Sequence, residues 1–258
     1  MDFTIKKYLQ LLNQLQKCNF RFITFSEYLQ HNQLPEKFVI LRHDVDKQVW
    51  KSLRFAKIQH SMGIKGTYYF RATGNLLNEK LIKEIYELGH EIGYHYENMA
   101  ICKGNHEKAV QDFNKHLKRI RSLVPVKTIC MHGSPLSKYD NRDLWKYIDY
   151  RDYGIIGETY LDTNFDIVFY LTDTGRKWNG WNSSLRDKLP QQKSWSENNL
   201  VYKNTSDIID SLKKTTFPEQ FMITFHPQRW NNTFLSCFFE LILQKTKNFI
   251  KRLLLLRL

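Results

Sequence analysis

The chain has 258 residues, 42% of them hydrophobic and 25% charged, a balance that excludes a disordered tail or a fibre and suits one large globular domain or two small ones. Its 39 Lys and Arg outnumber 26 Asp and Glu, and the formal charge of +13 favours anionic partners. With no zinc-finger spacing, glycine-rich RNA motif or basic run, specific nucleic-acid recognition is not expected.

The first residues, MDFTIKKYLQLLNQLQ, follow the pattern of an amphipathic helix with charges inside it, unlike the unbroken apolar stretch of a signal peptide. The four cysteines (Cys18, Cys102, Cys130, Cys237) show no C-x-x-C pair and read as free thiols of a reducing compartment. No apolar run reaches the length of about 18 residues that a membrane span needs. A cytoplasmic location is the expectation.

Short apolar and aromatic runs then alternate with helical patterns. Strands are predicted at 37–44, 65–72, 89–96, 127–133, 153–159, 166–173 and 220–227. Between them, Val49, Leu53 and Ala56 recur at helical spacing, with Gly63 as the stop. Leu81, Ile82, Ile85 and Leu88 form a second stripe before Gly89, and Val110, Phe113, Leu117, Ile120 and Val124 a third before Pro125. Residues 141–148 and 206–212 are shorter helix candidates, and 174–204 reads as a long polar loop with a functional role. The last residues, 231–258, read as a basic amphipathic helix with Lys245, Lys247, Lys251, Arg252 and Arg257, fit either to pack on the domain or to lie on an anionic membrane face.

Seven strands alternating with helices imply an α/β fold with parallel pairing, in a barrel or a doubly wound sheet. In such folds the chemistry sits at the carboxyl ends of the strands. RHDVD, GYHYE, CMHGSP, YLTDTG and TFHPQRW all place His or Asp there. Asp44 and Asp46, two apart in extended chain, can share one face, one carboxylate holding a metal while the other accepts a proton.

On RHDVD, GHEIGYH and ITFHPQRW, over about residues 38–230, the sequence resembles the polysaccharide deacetylase family, whose members remove acetyl groups from N- or O-acetylated sugars. The resemblance implies a distorted (β/α)7-type barrel, carried here in a single domain over 1–258 with added N-terminal and C-terminal helices. It implies Asp44 as general base, Asp46 and His95 as ligands of a divalent, zinc-type metal, and His226 as general acid. An N-acetylated sugar or glycan precursor of surface polysaccharide biosynthesis would be the substrate, at the inner face of the membrane.

The chain departs from that family at two places. Its second motif is H-x-x-x-H, and four residues on from His95 stands Met99, a poor ligand for such an ion. Glu97, His132 or water is left as the third ligand. His90 points to the opposite strand face and reads as structural. The family's base-orienting Arg has no counterpart in CMHGSPLSKYDN, where His132 can orient or ligate and the backbone N–H after it can face an oxyanion. Arg42, Asp173, Trp178 and Trp230 are the candidate substrate contacts, with Trp181 as a further sugar-stacking ring and Tyr94 and Tyr96 as walls. A catalytically silent, glycan-binding relative and a hydrolase of other C–N bonds are the alternatives.

Overall fold

The computed structural model describes residues 1–73, 77–178, 186, 188–214 and 216–255, with backbone alone for 234, 247 and 249–255. Eight strands form one sheet: β1 (Arg21–Ile23), β2 (Phe38–Val45), β3 (Thr67–Phe70), β4 (Glu91–Tyr96), β5 (Thr128–Met131), β6 (Gly157–Glu158), β7 (Phe169–Thr172) and β8 (Gln220–Phe225). Their order is β6-β5-β4-β3-β2-β8-β7, and every ladder is parallel. The sheet curls into a half-barrel flanked by helices, a distorted (β/α) barrel. β2 is its hub. On one edge Phe38–Ile40 pair with β1 and Arg42–Val45 with β3, while the other edge runs along β8.

Each predicted strand is present, although 153–159 contributes only the two residues of β6, because Tyr150–Tyr153 coils into a 3₁₀ turn closed by left-handed Gly154. β1 was not expected; three residues carry too little periodicity to read. The predicted helices appear as α1 (Ile5–Lys17), α3 (Trp50–Ser61), α4 (Glu79–Glu87), α6 (His106–Arg121) and α8 (Thr205–Ser211), whereas 141–148 forms a 3₁₀ turn over Asn141–Lys146. Short α2 (Phe25–Gln30), α5 (Asn98–Ile101) and α7 (Gln192–Glu197) add to these.

The pleat divides the core in two. One set of side chains, with Phe38, Ile40, Tyr69, Cys130, Tyr170 and Met222, fills the barrel interior and is closed by Phe25 and Tyr28 of α2. The alternate set, with Val39, Leu41, Tyr68, Phe70 and Ile223, packs against α1, α3, α4 and α6. α1 is held at its start by Thr4, whose hydroxyl accepts the Lys7 N–H, and it lays Tyr8 edge-on to Phe225. Gly93, on the interior face of β4, leaves room for the Tyr69 ring; a Cβ there would lie 2.2 Å from it.

The expected C-terminal helix is α9 (Phe234–Leu255), and no helix among the described residues is long and apolar enough to cross a membrane. Cys237 and Gln244 face the protein, while Leu235, Phe238, Phe239, Ile242 and Leu243 are exposed. Arg257 lies outside the described residues, as does Trp181, and nothing is described of the side chains of Lys247, Lys251 and Arg252.

Candidate active site

Parallel strands deliver their carboxyl ends to one rim, and the period of two decides which side chains enter the barrel. On β2 and just beyond it, Arg42, Asp44 and Asp46 share the interior face, whereas His43 turns outward and stacks on Tyr68 at 4.1 Å. His95 enters from β4, His132 follows β5, Asp173 follows β7 and His226 follows β8. A cavity of about 680 Å3 opens at this rim and is lined by Asp44, Asp46, His95, His132 and His226. The structure therefore brings the predicted metal and acid–base residues together.

One oxygen of Asp46 forms the centre. Its Oδ1 is buried, accepts no hydrogen bond, and lies 3.4 Å from His95 Nε2 and 3.5 Å from His132 Nε2. Both rings are tied from behind by acceptors. His95 Nδ1 lies 2.9 Å from the Cys130 carbonyl, and His132 Nδ1 lies 3.1 Å from Glu97 Oε2. A carbonyl or carboxylate only accepts, so each Nδ1 carries a proton and each Nε2 is the ring atom turned toward Asp46. Three donor atoms within 4.8 Å of one another, two imidazole and one carboxylate, suit a divalent ion of the zinc type. A second group, Asp44, His95 and Cys130, is less apt. Burial pushes the Cys130 thiol well up, away from the thiolate that binds metal, and Arg42 already grips Asp44.

Of the alternatives for a third ligand, geometry brings His132 into the group and keeps Glu97 out. Both oxygens of Glu97 are taken: Arg71 holds them in a fork at 2.7 and 2.6 Å, and the Thr73 hydroxyl adds 3.0 Å. Burial alone would raise Glu97, but His132 and Arg71 hold it down at about 2. Met99 points into the apolar core, which is why position 99 offers nothing to the site.

Asp44 is clamped by Arg42, Nε to Oδ1 at 2.9 Å and Nη2 to Oδ2 at 2.7 Å. Burial would raise its carboxyl, yet the guanidinium, with His95 and His226, holds it below the usual range. Asp46 is held well below that range by His132, His95 and His226, again against burial. His95 is lowered by burial but raised more by Asp44 and Asp46, and ends above the usual imidazole value. His226 turns Nε2 toward Asp46 Oδ2 at 3.8 Å and keeps Nδ1 on Asp173 Oδ1 at 2.5 Å.

Four expected substrate contacts are corrected by burial. Arg42 is 1% exposed and serves Asp44, with Tyr160 Oη as a further acceptor at 3.1 Å. Asp173 is 0% exposed and accepts from His226 Nδ1, the His226 N–H, Trp230 Nε1 and Arg229 Nη1, so it holds the His226 ring rather than a sugar. Trp178 and Trp230, each 1% exposed, pack with Phe3, Tyr8, Phe55 and Phe225 in the outer core and cannot stack on a ligand. Tyr94 and Tyr96 line no wall either; they pack on Phe113 on the outer side of β4. His90 is structural as expected, accepting the Gly66 N–H at Nδ1 and donating from Nε2 to the Ala56 carbonyl.

Some participants went unread. Arg71 follows β3 and lines the cavity, Gln228 Nε2 donates to Asp46 Oδ2 at 3.3 Å, and Arg186, from the polar loop, reaches the rim with its Nη1 3.1 Å from Asp140. Only the pairing of Arg42 with Asp44 had a sequence signal, the i, i+2 spacing on one strand.

No protein-family profile and no curated protein matches the chain. Solved structures do. It is similar to a CE4 family pseudoenzyme from Bacillus anthracis, at 14% identity and a TM-score of 0.44 over 82% of this chain and 60% of that one. A mutant of that pseudoenzyme is described as having restored enzymatic activity, and this chain spans 62% of its length. It is also similar to a Streptococcus mutans CE4 esterase, at 14% identity and a TM-score of 0.45, over 94% of this chain and 91% of that one. A third is the catalytic domain of a peptidoglycan N-acetylglucosamine deacetylase from Eubacterium rectale, at 14% identity and 0.43, over 82% and 85%.

Proposed function

We propose that this protein is a divergent polysaccharide deacetylase that hydrolyses an acetyl group from an N-acetylated or O-acetylated sugar, with a divalent ion held by Asp46, His95 and His132. The observation that carries this reading is the convergence of His95 Nε2 and His132 Nε2 on Asp46 Oδ1 between two prepared groups, Asp44 on Arg42 and His226 on Asp173. When bound, such an ion supplies Lewis acidity toward the acetyl carbonyl.

The chain's own residues do the rest. Arg42 keeps Asp44 ionised and fixes its plane, so that Asp44 accepts the proton of the attacking water. The Gly133 backbone lines the same cavity beside the place where negative charge would develop. Asp173 holds the proton of His226 on Nδ1, and His226, in its charged form, donates from Nε2 to the departing amine or hydroxyl. Surface-glycan precursors, handled in the cytoplasm, fit the positive charge of the chain as substrates.

Acetate release from a panel of N- and O-acetylated sugars by zinc-loaded protein tests the reading, beside metal analysis of Asp46→Ala and His95→Ala. Release that disappears in both variants together with bound metal supports it. A folded, metal-loaded parent that binds sugars and frees no acetate would instead establish the silent, glycan-binding alternative.

A further inference from the structure

His132 stands where no histidine motif announced a ligand, on the loop after β5, and its main chain is fixed at both ends. Its N–H donates to the Tyr96 carbonyl at 2.8 Å, and its own carbonyl accepts from Asn141 Nδ2 at 2.7 Å. The rotation of the imidazole is the freedom left. Glu97 reaches that ring from the end of β4, buried and aligned by the Arg71 fork, with Oε2 3.1 Å from Nδ1. The Ser134 hydroxyl, which accepts from Asn141, lies equally near Nδ1 and can donate or accept there, whereas the carboxylate can only accept and brings a full charge to the bond.

We propose that Glu97 is the positioning residue of a relocated metal ligand: held by Arg71, it fixes the His132 ring with the proton on Nδ1 and the Nε2 lone pair on Asp46. The inference rests on the metal reading above. It explains how the site does without a histidine at position 99, since a ligand borne on a loop needs an outside restraint that a second helical imidazole would not. A carboxylate behind a ligating histidine sets its tautomer, its orientation and its basicity, and losing such a partner typically weakens metal binding about 10- to 100-fold.

Two measurements on the full chain test this. In metal-free 15N-labelled protein, long-range 1H–15N correlation reads which His132 nitrogen carries the proton. Nδ1–H is expected in the parent, and a mixture or Nε2–H in Glu97→Ala. Calorimetric titration with Co2+ should then show the dissociation constant rising about 10- to 100-fold in Glu97→Ala and less in Glu97→Gln, whose amide oxygen still accepts. Circular dichroism of the apo proteins separates this from unfolding, and Glu97→Gln, of unchanged shape, carries the test should Glu97→Ala not fold. Nε2–H in the parent, or Co2+ affinity within twofold of the parent in both Glu97 variants, overturns the proposal. Undiminished Co2+ binding by Asp46→Ala and His132→Ala overturns the metal reading instead, and the tautomer then decides on the Glu97–His132 bond by itself.

Discussion

Asp173→Asn is the sharpest single probe of this site, because the substitution keeps size and removes only charge and acceptor capacity. Four donors point at the Asp173 carboxylate: His226 Nδ1 and Arg229 Nη1 at Oδ1, the His226 N–H and Trp230 Nε1 at Oδ2. An amide turned either way sets its own NH2 against two of them. With the NH2 in the place of Oδ1, Arg229 keeps only the Asp173 carbonyl, at 2.7 Å. Breaking a buried charge pair from one side costs about 3–5 kcal/mol. The lower end applies here, because one acceptor oxygen survives, and at this chain length about 3 kcal/mol lowers the melting temperature by about 6–12 °C. If the amide NH2 faces Nδ1, the ring proton moves to Nε2 and the charged acid is no longer stabilised. Turnover should then fall about 10²–10⁴-fold, the typical range for losing acid–base assistance. The assay is a double-mutant cycle with Arg229→Met, read by thermal melting and acetate release. With the guanidinium gone, the stability cost of Asp173→Asn should shrink by about 1–3 kcal/mol. An unchanged melting temperature, or a full penalty that survives in the Arg229→Met background, refutes the account of Asp173 as the anchor of a four-donor network.

Acid should destabilise this protein through histidines that face away from the cavity. Burial pushes His43 down to about 3 and His90 to about 4, so both stay neutral in the fold while their unfolded counterparts gain a proton below about 6.5. For this pair the unfolded chain then binds more protons, and their share of stability falls as pH drops from about 6.5 toward 4, by up to about 3 kcal/mol per pH unit, while Glu91 and Glu158, whose carboxyls burial raises, act in the opposite sense. His95, whose value is raised, acts above this window, and the lowered carboxylates of Asp44, Asp46 and Glu97 act below it. Urea midpoints at pH 6.5, 5.5 and 4.5 check this: His43→Gln should lose about 1.4 kcal/mol per pH unit of acid destabilisation relative to the parent, and an unchanged slope in that variant contradicts the burial argument. Met99→His, which restores the family's histidine spacing, should leave bound metal unchanged and cost about 1–3 kcal/mol, since position 99 faces the apolar core. Tighter metal binding by that variant would show that position 99 can turn to the site.

The sequence alone determined the alternation of strands and helices, because periods of two and 3.6 are local properties of where apolar side chains recur. It also determined which strand ends carry chemistry: Asp44, Asp46, His95 and His226 were legible as polar groups that end apolar runs. Only the tertiary structure decided what those groups do with their neighbours. His132 and Glu97 lie 35 residues apart in sequence and meet only where β4 and β5 pair in register, and Asp173 meets His226 only across the β7–β8 ladder. Burial decided the rest. A Trp or Arg beside a motif reads alike whether it points into the cavity or into the core, and the direction follows from sheet curvature and helix packing, which no single stretch of chain encodes. For that reason Trp178 and Trp230 turned out to be core, and Arg42 and Asp173 the partners of Asp44 and His226.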